Sequence, residues 1–252
     1  MSHFLLSLFW LNTIISISII DGQTNKKLSS SSSSSLNKKK GSCDPERVDK
    51  CAIAMVPLTD PELLENPPRN MSQMNYWCRK FKQSIECVRQ YSQQCLQSES
   101  RRVFSIMSYS ISKMAKRYCG SVRAKKDLLE FLKCAGNDLR KYAQPLFDLS
   151  GDLHSIPTIK PANLRIPLSC CAYQRRKEST LSLIDIKCSN HIETIENILQ
   201  SATGDVIKLG CTEYTDDSDK CDTIIGRLPK WNKPLEWKSF IIPSVKIVDS
   251  LH

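Results

Sequence analysis

Twelve cysteines constrain this chain more than any other feature: Cys43, Cys51, Cys78, Cys87, Cys95, Cys119, Cys134, Cys170, Cys171, Cys188, Cys211 and Cys221. The number is even, and all lie beyond an amino-terminal apolar run. That combination points to oxidative pairing outside the cytosol and to six bridges. Zinc is the competing use of cysteine, but no C-x2-C pair occurs, and His154, His191 and His252 sit at no ligand spacing. Connectivity stays open, because combinatorics alone allow roughly ten thousand pairings. Geometry removes a few. From Met74 to Cys95 the positions Met74, Trp77, Phe81, Ile85, Val88 and Tyr91 recur every three or four residues, which predicts a helix. On it, Cys78 and Cys87 are about 13.5 Å apart and Cys87 and Cys95 about 12 Å. Disulfide Cα atoms lie within about 7 Å. None of the three can bond another, so each must reach a different element and the bridges act as staples between helices.

The route out of the cytosol is read from residues 1–22. Phe4 to Ile20 is a 17-residue, largely apolar run diluted by Ser7, Asn12, Thr13, Ser16 and Ser18, and followed by Asp21, Gly22 and Gln23. It reads as a signal peptide; five polar side chains argue against an uncleaved anchor, which needs about 20 apolar residues. No later segment is long or apolar enough to span a membrane. Residues 23–42 hold five lysines and the run Ser29 to Ser35, cannot bury apolar surface, and are expected to be disordered. They also carry much of the net charge of +10, so the part that folds is only moderately basic.

Residues 43–225 are expected to form a disulfide-stapled, mainly α domain. Asp44, Pro45 and Glu46 open a first short helix; Pro57, Pro61, Pro67 and Pro68 make a loop before the 74–95 helix. Further helices fit Ser98 to Tyr118, with Ser98 as cap, Val122 to Leu132, and a turn or two over Asp138 to Leu149, disturbed by Pro145. Ser150 to Pro167, with three prolines, reads as a long connection and the best internal boundary. Beyond it, helices fit Leu168 to Lys187 and Ile192 to Ala202, with Gly204 as a stop and Asp205 capping a short piece through Cys211. Residues 226–252, with Pro229, Pro234 and Pro243, are expected to run irregularly over the surface.

Tests for chemistry return little. The pair Cys170-Cys171 resembles the secreted phospholipase A2 helix, in which two cysteines precede the catalytic histidine by three residues. Here that place is Gln174, and no acidic glycine-rich calcium loop exists, so no base activates water. Asp216, Asp217 and Asp219 suggest calcium, but Cys221 takes the third ligand place of an EF-hand pattern counted from Asp217. Lys113, Lys116, Arg117, Arg123, Lys125 and Lys126 put six bases within 14 residues. They suit a heparan-like polyanion, or form the ordinary solvated face opposite Met114 and Tyr118, and the plainer account is preferred. Asn70-Met71-Ser72 is the only N-glycosylation sequon.

Several stretches taken together resemble a known family. They are Cys43 through Asp44-Pro45-Glu46 to Cys51, Cys87 through Tyr91-Ser92 to Cys95, and Phe131-Leu132-Lys133-Cys134. To these add Cys170-Cys171-Ala172-Tyr173 and Thr203-Gly204-Asp205 through Cys211 to Cys221. The order resembles the arthropod secreted cysteine-rich proteins related to the insect haemolymph glycoprotein, a domain of unknown function. The resemblance implies a secreted, mostly helical protein and transfers no catalytic residue.

These features together lead us to expect a secreted, extracellular, non-catalytic binding protein without cofactor, bound metal or nucleic-acid partner. Two alternatives name a ligand: a small apolar molecule in a cavity between helices, or a glycan polyanion on the basic residues.

Overall fold

The computed structural model describes residues 43–215, 218–231 and 238–251. The signal peptide expected at 1–22, the segment 23–42, Asp216, Asp217, residues 232–237 and His252 lie outside the described residues. These contain ten α-helices and no strand.

Four of the ten helices begin on a side chain that accepts from an orphaned backbone N–H group. Asp44 accepts from Glu46 N at 3.0 Å ahead of helix α1 (Pro45–Ile53). A 3-10 turn, Pro57–Thr59, follows. Asp60 caps α2 (Pro61–Glu65) in the same way, and its second oxygen accepts from the Trp77 indole N–H at 2.6 Å. Burial pushes the Asp60 carboxyl above its ordinary pKa, against the pull of those bonds. Helix α3 (Met71–Cys95) starts on Asn70, whose Oδ1 accepts from Gln73 N, while Gln73 Oε1 accepts from Arg69 N, a reciprocal cap.

Helix α4 (Ser98–Gly120) has Gln97, not Ser98, at its cap position, with no side-chain bond. Ser121 then closes α4 and caps α5 (Val122–Ala135), so the two helices are separated by a single residue.

Prolines separate expectation from structure at three places. Helix α6 (Leu139–Ser155) runs for 17 residues straight through Pro145, which is buried within it. The loss of one N–H bond is offset by Leu139, Tyr142, Leu146, Leu149 and Leu153, all buried. The long connection expected at 150–167 therefore shrinks to two 3-10 turns, Ile156–Thr158 and Ala162–Leu164, before α7 (Arg165–Cys188). Nor does the chain divide there, because α4 packs along α8 (Ile192–Gly210) and α6 along α7; all described residues belong to one unit.

After α9 (Lys220–Ile224), the expected irregular tail instead ends in α10 (Ile241–Asp249), with Ile241, Ile242 and Ile247 buried. Pro243 is no obstacle in the first turn, where its missing N–H would be unpaired anyway. The Ser239 hydroxyl donates to Asp49 and that of Ser100 to Asp249, while Ser150 Oγ donates to Ser239 O at 3.0 Å. The segment is thus fastened to α1, α4 and α6.

Among the described residues no cysteine is free. Cys78, Cys87 and Cys95 do not bond one another: they pair with Cys119, Cys51 and Cys43, so two of the three return to the α1 segment. Cys134–Cys188 joins α5 to α7. The neighbours Cys170 and Cys171 take separate partners, Cys211 and Cys221. Each bridge spans 36 to 54 residues of sequence, a length at which a crosslink contributes about 2 to 4 kcal/mol.

Candidate functional site

Two apolar clusters fill the interior. The larger runs through α1 to α8 and on to α10; the smaller gathers Leu149, Leu153, Ile156, Ile159, Leu168, Ala172, Tyr173 and Ile247. Between them lies a cleft of about 140 Å³. Helix α4 contributes Val103 and Met107, α6 contributes Leu149 and Leu153, and α7 contributes Ile166 and Tyr173. Val206 and Ile207 of α8 face Phe240, Ile247 and Val248 of the C-terminal segment, and the Cys170–Cys211 bridge forms part of the wall.

The few hydroxyls in this lining are spent within the protein. Ser169 donates to Arg165 O and Ser244 to Phe240 O, at 2.8 and 2.7 Å. Thr203 Oγ1 lies 3.2 Å from both Leu199 O and the Tyr173 hydroxyl. The cleft therefore presents a hydrocarbon surface with one polar edge, at Tyr173 and Thr203. Its size matches the roughly 150 Å³ apolar cavity that stays dry and admits benzene. It is smaller than the about 300 to 1,000 Å³ usual for drug-sized ligands.

Beside the cleft residue Leu153, the His154 ring stacks on Trp231 with centroids 5.1 Å apart. Burial, reinforced by Lys246 and Lys238, lowers its pKa to about 4, so the imidazole is neutral at physiological pH. Its Nε2 finds no hydrogen-bond partner.

A wider groove, about 790 Å³, runs along α7 past the Cys171–Cys221 bridge. Gln174, at the place where the phospholipase pattern has histidine, lines it among Arg175, Glu178, Glu196 and Asp222. No group of three or more His, Cys, Asp or Glu side chains is arranged to hold a metal ion among the described residues. There, too, no helix is long and apolar enough to cross a membrane.

The other residues singled out by sequence fall as follows. Lys113, Lys116 and Arg117 lie exposed on the last turns of α4; Arg123 and Lys126 lie exposed at the start of α5. Lys125 is half-buried and donates to Asn75 Oδ1 at 2.7 Å, which separates it from that set. Asn70 and Ser72 are both exposed. The cap bond of Asn70 uses its carbonyl oxygen, not the amide nitrogen to which a glycan would be joined.

Sequence reasoning missed the cleft. Its lining comes from positions scattered between 103 and 248, some in apolar stripes and some in the tail expected to run irregularly. Comparison of the chain with protein-family models, curated proteins and solved structures found no match.

Proposed function

We propose that the chain is a secreted, non-catalytic binding protein of extracellular fluid, akin to the arthropod haemolymph-related family its cysteine order resembles. Its ligand is a small apolar molecule held in the cleft between α4, α6, α7, α8 and α10. The observation that carries this reading is the cleft itself: about 140 Å³ of space walled by aliphatic and aromatic side chains, with its hydroxyls satisfied internally. A hydrocarbon that fills such a cleft removes its apolar lining from water and adds dispersion contacts. Six disulfides support an oxidising, extracellular setting.

Native mass spectrometry of protein purified from culture medium, followed by titration with toluene under thermal unfolding, tests the proposal. Toluene at about 100 times its dissociation constant should stabilise the fold by about 2.7 kcal/mol, several degrees in melting temperature. Val206→Phe, which fills the cleft from α8, should remove that shift while the variant still unfolds cooperatively. A wild-type protein that carries no additional mass and shows no toluene shift would overturn the proposal.

A further inference from the structure

Between Glu99 and Asp127 the chain runs for 27 residues without an acid and carries eight cations. Two are engaged: Arg101 donates to Leu96 O at 2.7 Å, and Lys125 to Asn75. A third, Arg102, lies 3.7 Å from Glu99. Among the described residues, Lys113, Lys116, Arg117, Arg123 and Lys126 form no ion pair, though Arg117 lies 5.7 Å from the centre of the Tyr118 ring. Elsewhere cations find acids readily, as in Lys80–Glu62, Arg89–Glu86, Arg140–Glu65, Lys187–Asp138 and Lys220–Glu213.

Helical geometry aligns four of the five cations of α4. At 100° per residue, Arg102, Tyr109, Lys113, Lys116 and Arg117 fall within an arc of about 100° and cover about 22 Å of α4. The opposite arc holds Phe104, Met107, Ile111 and Met114, all in the core. Tyr109, 67% exposed, stands in the stripe one turn from the half-buried Ile106. Past the extended residue Ser121, Arg123 and Lys126 lie exposed in the first turns of α5. There Arg123 and Lys126 oppose the helix dipole, and no acid occupies the opening turn. Like charges three and four residues apart on α4 also repel. The helix dipole favours Arg117, in the last turn of α4, but local stability does not account for Lys113 beside Lys116 and Arg117, nor for Arg123 and Lys126, a pattern expected where a surface serves a ligand.

We propose that this face of α4, with the first turns of α5, binds a linear sulfated glycan. A line of cations matches a line of sulfates, and the exposed Tyr109 ring offers a flat apolar face for a sugar ring between them. A membrane surface fits less well, because the apolar half of α4 is buried and cannot insert into lipid. The choice of a glycan over other polyanions rests on the secreted reading above; the stripe does not depend on the cleft.

The test is titration calorimetry of the full chain with heparin, beside duplex DNA and vesicles rich in phosphatidylserine. Lys113→Gln/Lys116→Gln/Arg117→Gln should lower heparin affinity at least about tenfold and flatten its salt dependence, since three ion contacts are lost. Lys133→Gln/Lys141→Gln/Lys208→Gln, which removes the same charge elsewhere, should change it less than about threefold. Tyr109→Ala should weaken binding with the salt dependence unchanged. Circular dichroism checks that each variant folds. Equal losses in the two triple variants would overturn the site, and tighter binding to DNA or vesicles than to heparin would overturn the glycan.

Discussion

His154 shows how one side chain ties the fold to pH. Its ring is neutral against Trp231, and burial holds its pKa at about 4, below the ordinary 6.5. Because the unfolded chain takes up this proton first, the contribution is complete above about pH 6.5 and is lost as pH falls toward 4. The expected loss is on the order of 2 to 3 kcal/mol. Urea unfolding of wild type and His154→Phe at pH 7 and pH 4.5 measures it: the gap between the two proteins should change across that interval, and a constant gap would contradict the account. Comparing the two proteins cancels Asp49 and Asp60, whose carboxyls burial shifts upward and which titrate in both. At this scale the sequence was partly legible. Asp44 announces a helix start by residue type, and Asn70 carries a recognisable sequon. That Asn70 also caps α3, and that Lys125 bonds Asn75 rather than facing solvent, depends on neighbours 3 and 50 residues away.

Helix-length patterns were readable wherever apolar spacing ran without a proline. The stripe from Met74 to Tyr91 lies in α3, and that of Ile192, Ile195, Leu199 and Ala202 in α8. Pro145 and Pro243 read as helix breakers in the sequence, whereas tertiary burial carries α6 through the first and the opening turn of α10 accommodates the second. Gly204 is the clearest case of local sequence serving packing. It adopts φ 54°, ψ −142° inside α8, and an added Cβ would come within 1.9 Å of Ser110 Oγ and 2.3 Å of Ser110 Cβ on α4. Gly204→Ala should therefore cost at least about 3 kcal/mol, from backbone conformation and overlap together. In a double-mutant cycle with Ser110→Gly, a coupling of about 1 kcal/mol or more should appear. Additive effects in denaturant melts would show that α4 and α8 do not meet as closely as described.

For the whole molecule, the cysteine count made the class of architecture legible, and helix geometry excluded bridges within α3. Partner choice was not legible, since it depends on which helix ends meet in space: Cys51 reaches Cys87, and Cys134 reaches Cys188. The apolar cleft was hidden for a related reason, as five elements separated in sequence must converge before its lining exists. The two proposed sites divide the molecule in a consistent way. One lies where the two apolar clusters meet; the other follows the solvent face of α4, whose inner face contributes Val103 and Met107 to the first. Both depend on crosslinked helices keeping their places. The most direct check is peptide mapping by mass spectrometry of unreduced, alkylated protein. It should find no alkylated cysteine and six crosslinked pairs, among them Cys43–Cys95, Cys78–Cys119 and Cys171–Cys221; a majority of free thiols, or a Cys87–Cys95 crosslink, would contradict the account.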